Sequence, residues 1–148
     1  MKKRINILQQ VPAAYAAQSA MEKYIGTTSL TPIEKELIKI RASQINGCAF
    51  CLNMHTVDAR KNGETEQRIY LLNAWRETDL YTETEKVILA LTEEVTLISN
   101  GGVSDATYDA ALELLGEQKL AEVIMAIITI NGWNRIAIST HQPVAKAQ

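Results

Sequence analysis

Thr31-Pro32-Ile33-Glu34-Lys35-Glu36-Leu37-Ile38-Lys39-Ile40-Arg41-Ala42-Ser43-Gln44-Ile45-Asn46-Gly47-Cys48-Ala49-Phe50-Cys51-Leu52-Asn53-Met54-His55 is the stretch that decides the fold. It opens with an N-cap Thr31, a proline at the first helical position and Glu34 at the third, the arrangement of a capping box. Leu37, Ile38, Ile40 and Ala42 then supply a buried stripe before Asn46-Gly47 stops the helix. A second helix begins around Cys48 and runs to Lys61, where Asn62-Gly63 ends it. Two helices joined by so short a turn pack as a hairpin.

The same grammar extends outward on both sides. Toward the N-terminus, Pro12 to Tyr24 carries Ala13, Ala16, Ala17, Ala20, Met21 and Tyr24 at helical spacing, with Gly26 as a stop. Toward the C-terminus, Thr65 to Trp75 is a short helix burying Ile69, Leu71, Leu72 and Trp75. Thr82-Glu83-Thr84-Glu85 repeats the capping signal ahead of Val87 to Ile98, and Asn100-Gly101-Gly102 closes that helix. Ser104 opens another to Leu115, closed by Gly116. Glu117 to Thr140 is long and rich in Leu120, Val123, Ile124, Ile127, Ile128, Ile130, Trp133 and Ile136, and is expected to be the most buried. The β-branched run Ile127 to Ile130 lacks the flanking turn signals of a strand. The expectation is an all-α, single-domain bundle of six or seven helices over residues 1–148.

Composition bounds the function. The chain has 148 residues, 47% hydrophobic and 22% charged, enough to bury a core without staples. A formal charge of −2 and a pI near 5.7 exclude the concentrated basic face of a nucleic-acid binder. No apolar run reaches the ~20 residues of a membrane helix. Met1-Lys2-Lys3-Arg4 resembles the charged start of a signal peptide, but Ile5 to Pro12 is broken by polar residues and proline, so a cytoplasmic location is expected. In a reducing compartment Cys48 and Cys51 are more often catalytic or metal-binding than structural.

A partial internal echo runs through the chain. Thr31 to Lys35 is matched by Thr82 to Lys86, and Ile45-Asn46-Gly47 before His55 by Ile130-Asn131-Gly132 before His141. Both a duplicated hairpin and the recurring chemistry of helix starts produce such a pattern.

Cys48, Cys51 and His55 stand at i, i+3 and i+7, on one helix face. The first turn of a helix stabilises a thiolate, which favours Cys48, whereas His55 lies one turn from Cys51 and is spaced to act as its base. Two thiols at this spacing can close a disulfide. About a turn centred on Ile45/Asn46, Glu36 and His55 are mirror positions, each on the order of 14 Å away at ~1.5 Å per residue. Glu36 is thus placed to hold the far ring nitrogen of His55 and fix its tautomer. Cys48, Cys51 and His55 are also three good zinc ligands, with Glu36 or His141 available as a fourth, so a zinc-stabilised module without turnover is a competing reading.

Glu36, eleven residues, then Cys48-x-x-Cys51-x-x-x-His55 resembles the signature of the alkylhydroperoxidase D-like branch of the carboxymuconolactone decarboxylase superfamily. The likeness extends to Pro12-Ala13-Ala14-Tyr15 and to Ile130-Asn131-Gly132-Trp133-Asn134-Arg135. It implies an all-α fold that assembles, often as trimers or hexamers, with its active site near subunit contacts; no cofactor or resident metal is expected. It also implies a thiol peroxidase or disulfide reductase acting on an organic hydroperoxide and recycled by an external dithiol such as a dihydrolipoyl protein. Carried onto this chain, it makes Cys51 the attacking thiol, Cys48 the resolving one, and His55 with Glu36 the proton relay. Some members carry a further His between the cysteines, where this chain has Ala49 and Phe50. A decarboxylase of the same superfamily is the alternative; that branch does not depend on a CxxC pair. Trp75, Trp133 and the apolar last helix are expected in the core or at a subunit interface, with His141 near the surface. Asn134-Arg135 is left open between an interface and the site.

Overall fold

The structure, a computed structural model, describes residue 2 and residues 4–145. Met1 and Lys3 of the basic start lie outside the described residues. Seven α-helices follow one another: α1 (Ile7–Gln10), α2 (Pro12–Thr27), α3 (Pro32–Asn46), α4 (Ala49–Lys61), α5 (Glu66–Leu71), α6 (Glu83–Thr96) and α7 (Asp105–Thr140). A 3-10 segment, Leu72–Glu77, continues α5. Among the described residues there is no strand, and no helix is long and apolar enough to cross a membrane.

Both capping boxes form. Thr31 accepts from the Glu34 amide while Glu34 returns a bond to the Thr31 amide, and Thr82 and Glu85 do the same at α6. Gly47 ends α3 in the left-handed region at φ 69°, the conformation that costs glycine least. Its amide and that of Cys48 turn back onto the carbonyls of Gln44 and Ser43, setting α4 antiparallel to α3.

Several boundaries differ from the sequence expectation. The Ile5 to Pro12 stretch contains a single helical turn, α1, because the Asn6 side chain caps the Gln9 amide. Gly26 does not stop α2. It is not among the glycines with positive φ, and the helix ends one residue later, at Thr27, where the hydroxyls of Thr27 and the C-cap Thr28 capture the carbonyls of Tyr24 and Ile25. The helix expected to Trp75 tightens at Leu72 and bends at Ala74 (φ −117°), which buries Leu72 and Trp75 but leaves Leu71 exposed. Helix α6 stops at Thr96, so Leu97 and Ile98 project outward. Cys48 is the N-cap of α4, with extended backbone, rather than part of its first turn.

The core lies in two clusters either side of α3. Ile38 and Ala42 join Cys48, Cys51, Ile88, Leu91, Val123, Ile127 and Ile130 on one side. Leu37 and Ile40 join Ala59, Ile69, Leu72, Trp75, Tyr81 and Leu89 on the other. Residues 36–40 are therefore buried without a break, whereas residues 117–140 of α7, set off by the non-helical Gly116 and expected to form the most buried helix, leave Ile128 and Ile138 exposed. Helix α3 holds the centre because α4, α6 and α7 all pack on it, and it carries Glu36 into the interior.

Candidate active site

The α3–α4 hairpin brings the four expected residues together in two pairs. His55 Nδ1 and Glu36 Oε2 are 2.8 Å apart, with both side chains buried. Facing a carboxylate, Nδ1 carries the ring hydrogen and leaves the imidazole lone pair on Nε2. One turn before His55, the Cys51 and Cys48 sulfurs lie 2.8 Å apart, both buried and free. A disulfide bond needs ~2.05 Å, so less than 1 Å of movement separates the dithiol from a bonded pair.

A cavity of about 560 Å³ opens beside these pairs. Cys51, His55 and Glu36 line it; Cys48 does not. The thiol that an entering molecule meets is that of Cys51, with Cys48 directly behind it. Burial pushes the Cys51 thiol up to about 12; the Cys48 hydrogen bond adds to the rise, and a hydrogen bond from the Asn134 side chain works against it. At neutral pH the proton stays on sulfur in the resting dithiol, so any reaction through this thiol needs a base that removes it.

Asn134 resolves the position left open in the sequence. It is fully buried, donating from Nδ2 to Ser43 Oγ at 2.9 Å and accepting from Asn46 Nδ2 at 2.9 Å. Asn46 also donates to Asn131 Oδ1 at 2.9 Å, so the two asparagines of the internal echo touch each other. Their neighbours differ: Gly47 reverses the chain, while Gly132 continues α7 with Gln18 packed against it. His141 lies apart from the site as the left-handed C-cap of α7.

Sequence reading missed the rest of the cavity wall. Lys39, buried one turn after Glu36 on α3, makes a 2.5 Å ion pair with Glu22 of α2. Glu22 also accepts from Trp133 Nε1 at 3.2 Å, and Trp133 stacks edge-on against Tyr15 with centroids 5.2 Å apart. A lysine inside the run Leu37-Ile38-Lys39-Ile40 is the local sign that something buried must pair with it. Its partner, 17 residues away on another helix, has no local sign. Among the described residues no group of three or more His, Cys, Asp or Glu is arranged to hold a metal ion.

Comparison with known proteins identifies relatives of the chain and of its fold. Residues 12–94 match the carboxymuconolactone decarboxylase family. The uncharacterized YdfG protein of Bacillus subtilis (strain 168) is 46% identical over 139 residues, 94% of this chain and 95% of that one. A protein of unknown function from Agrobacterium tumefaciens, described as a candidate antioxidant defence protein AhpD, superposes with a TM-score of 0.94 at 37% identity, covering 99% of this chain and all of that one. The debrominase Bmp8 shares the fold at a TM-score of 0.83 and 17% identity, over 93% of this chain and 74% of its own, so the fold carries enzyme chemistry elsewhere. With a family match across more than half of its length, this all-helical chain belongs to the carboxymuconolactone decarboxylase family.

Proposed function

We propose that the protein is a thiol-dependent peroxidase or disulfide oxidoreductase that reduces organic hydroperoxides through a Cys48–Cys51 dithiol cycle. The observation that carries this reading is the asymmetry of the pair: Cys51 lines the cavity together with His55 and Glu36, and Cys48 touches Cys51 from behind.

In this cycle His55, held through Nδ1 by Glu36, takes the Cys51 proton. The thiolate attacks the terminal oxygen of the hydroperoxide. The O–O bond breaks, the alkoxide leaves and is protonated to an alcohol, and Cys51 becomes a sulfenic acid. The Cys48 thiol then attacks the Cys51 sulfur, a water molecule leaves, and a disulfide forms. An external dithiol, such as a dihydrolipoyl protein, takes up that disulfide and returns both thiols, itself becoming oxidised. The cycle suits a cytoplasmic protein. Exposed Ile128 and Ile138 on α7 support a homo-oligomer, a trimer or hexamer by family likeness, which light scattering measures.

The test is a free-thiol count and intact mass on reduced protein, before and after one equivalent of an organic hydroperoxide. Loss of both thiols with the mass change of one disulfide is expected. Cys48→Ser leaves a Cys51 sulfenic acid that dimedone traps, and Cys51→Ser abolishes turnover. Two thiols that persist overturn the reading and direct attention to decarboxylase chemistry, whose activity would survive replacement of both cysteines.

A further inference from the structure

The cavity beside Cys51 is far larger than hydrogen peroxide requires and falls within the ~300–1,000 Å³ of small-molecule pockets. Its apolar wall comes from Ile7, Tyr15, Phe50, Met54, Trp133 and Ile136. The charged groups on the wall are the carboxylates of Glu22, Glu36 and Asp58 against one ammonium, that of Lys39. That ammonium is committed: its Nζ lies 2.5 Å from Glu22 Oε1, and its side chain is 10% exposed. Glu22 is itself fixed by the Trp133 indole, and Glu36 by His55. Asp58 pairs outward with Lys61 at 3.0 Å. A carboxylate entering this space would give up part of its water beside the buried Glu36, with the half-exposed Glu22 and Asp58 on the same wall and no uncommitted cation among the described wall residues. An unpaired buried charge is strongly disfavoured.

We propose that the cavity accepts uncharged ligands with an apolar body and rejects carboxylate-bearing ones, with Glu22 as the specificity-determining residue because it occupies Lys39. Taken with the peroxidase reading, on which the identity of the reactive group rests, the substrate is a neutral aryl or alkyl hydroperoxide rather than a free fatty-acid hydroperoxide.

The test uses two probes that differ by one charge, cumene hydroperoxide and its para-carboxylate. The rate of Cys51 oxidation in the full-length reduced protein is measured for each and normalised to the probe's rate with N-acetylcysteine. The neutral probe is expected to react at least about tenfold faster. Glu22→Gln removes one carboxylate and frees the Lys39 ammonium, so the ratio shrinks several-fold. Equal normalised rates in the wild-type protein overturn the proposal, and that arm needs no variant to fold. If neither probe oxidises Cys51, the peroxidase reading has failed, and the cavity is tested by binding. Cumyl alcohol is then expected to protect Cys51 from iodoacetamide at concentrations at least about tenfold lower than its para-carboxylate. Equal protection by the two, or none by either, overturns the proposal.

Discussion

His55 Nδ1 and Glu36 Oε2 meet at 2.8 Å across the α3–α4 hairpin, although 19 positions separate them in the chain. Both side chains are buried, so the contact is sheltered from water and salt and its geometry is held by the packing of two helices. A carboxylate in this position fixes the imidazole tautomer and stabilises the imidazolium formed when His55 accepts a proton.

Glu36→Gln separates charge from shape. The amide still accepts a hydrogen bond from Nδ1 but offers no counter-charge to the imidazolium. Oxidation of Cys51 by cumene hydroperoxide is expected to slow by roughly 100-fold, in the range of general-base contributions. Stopped-flow thiol loss measures it, and an unchanged rate removes Glu36 from the proton relay.

The Cys51 thiol supplies a pH signature. With its proton held up to about 12, chiefly by burial and then by Cys48, the thiolate fraction climbs about tenfold per pH unit across the neutral range. Alkylation of Cys51 by iodoacetamide, followed by peptide mass, is expected to rise from pH 7 to pH 10 without a plateau. Cys48→Ala removes the hydrogen bond from the neighbouring thiol, and the profile is expected to move to lower pH. Coincident profiles would mean that Cys48 has no hold on the Cys51 proton.

Gly116 and Gly26 respond oppositely to alanine. Gly116 breaks α7 at φ 73°, ψ 166°, a region essentially closed to other residues. Gly116→Ala is expected to cost about 1–3 kcal/mol although nothing lies within 4 Å of the added carbon. Gly26 sits inside α2 in equally open space, and Gly26→Ala is expected to gain roughly 0.5–1 kcal/mol. Urea midpoints at constant m decide both. A Gly116→Ala protein of unchanged stability would mean that α7 heals into one continuous helix.

The candidate site was legible because its signals are local. Asn46-Gly47 fixes the hairpin, and the depth match about that turn puts Glu36 opposite His55 with no knowledge of other helices. Where local signals misled, side chains elsewhere in the segment decided the outcome. Gly26 looked like a terminator, but the end of α2 is made by the hydroxyls of Thr27 and Thr28. The apolar side chains from Leu120 to Ile136 made residues 117–140 look like the most buried helix, yet α3, with fewer apolar residues, took the centre. Burial depends on how many neighbours pack on a helix, and the composition of α7 carries no information about that.

By itself the sequence determined the all-helical fold, the capping boxes, the turn at Gly47 and the grouping of Cys48, Cys51, His55 and Glu36. Helix periodicity and cap chemistry fix these locally, and one tight turn sets the site grouping within the 25 residues from Thr31 to His55. Only the tertiary structure decided that Cys51 and not Cys48 faces the cavity, that Asn134 lies fully buried with its side chain on the Cys51 thiol, and that Lys39 is taken by Glu22. Those contacts join α2, α3, α4 and α7 across separations of 17 to 91 residues. They arise from how helices stack, which no local pattern records.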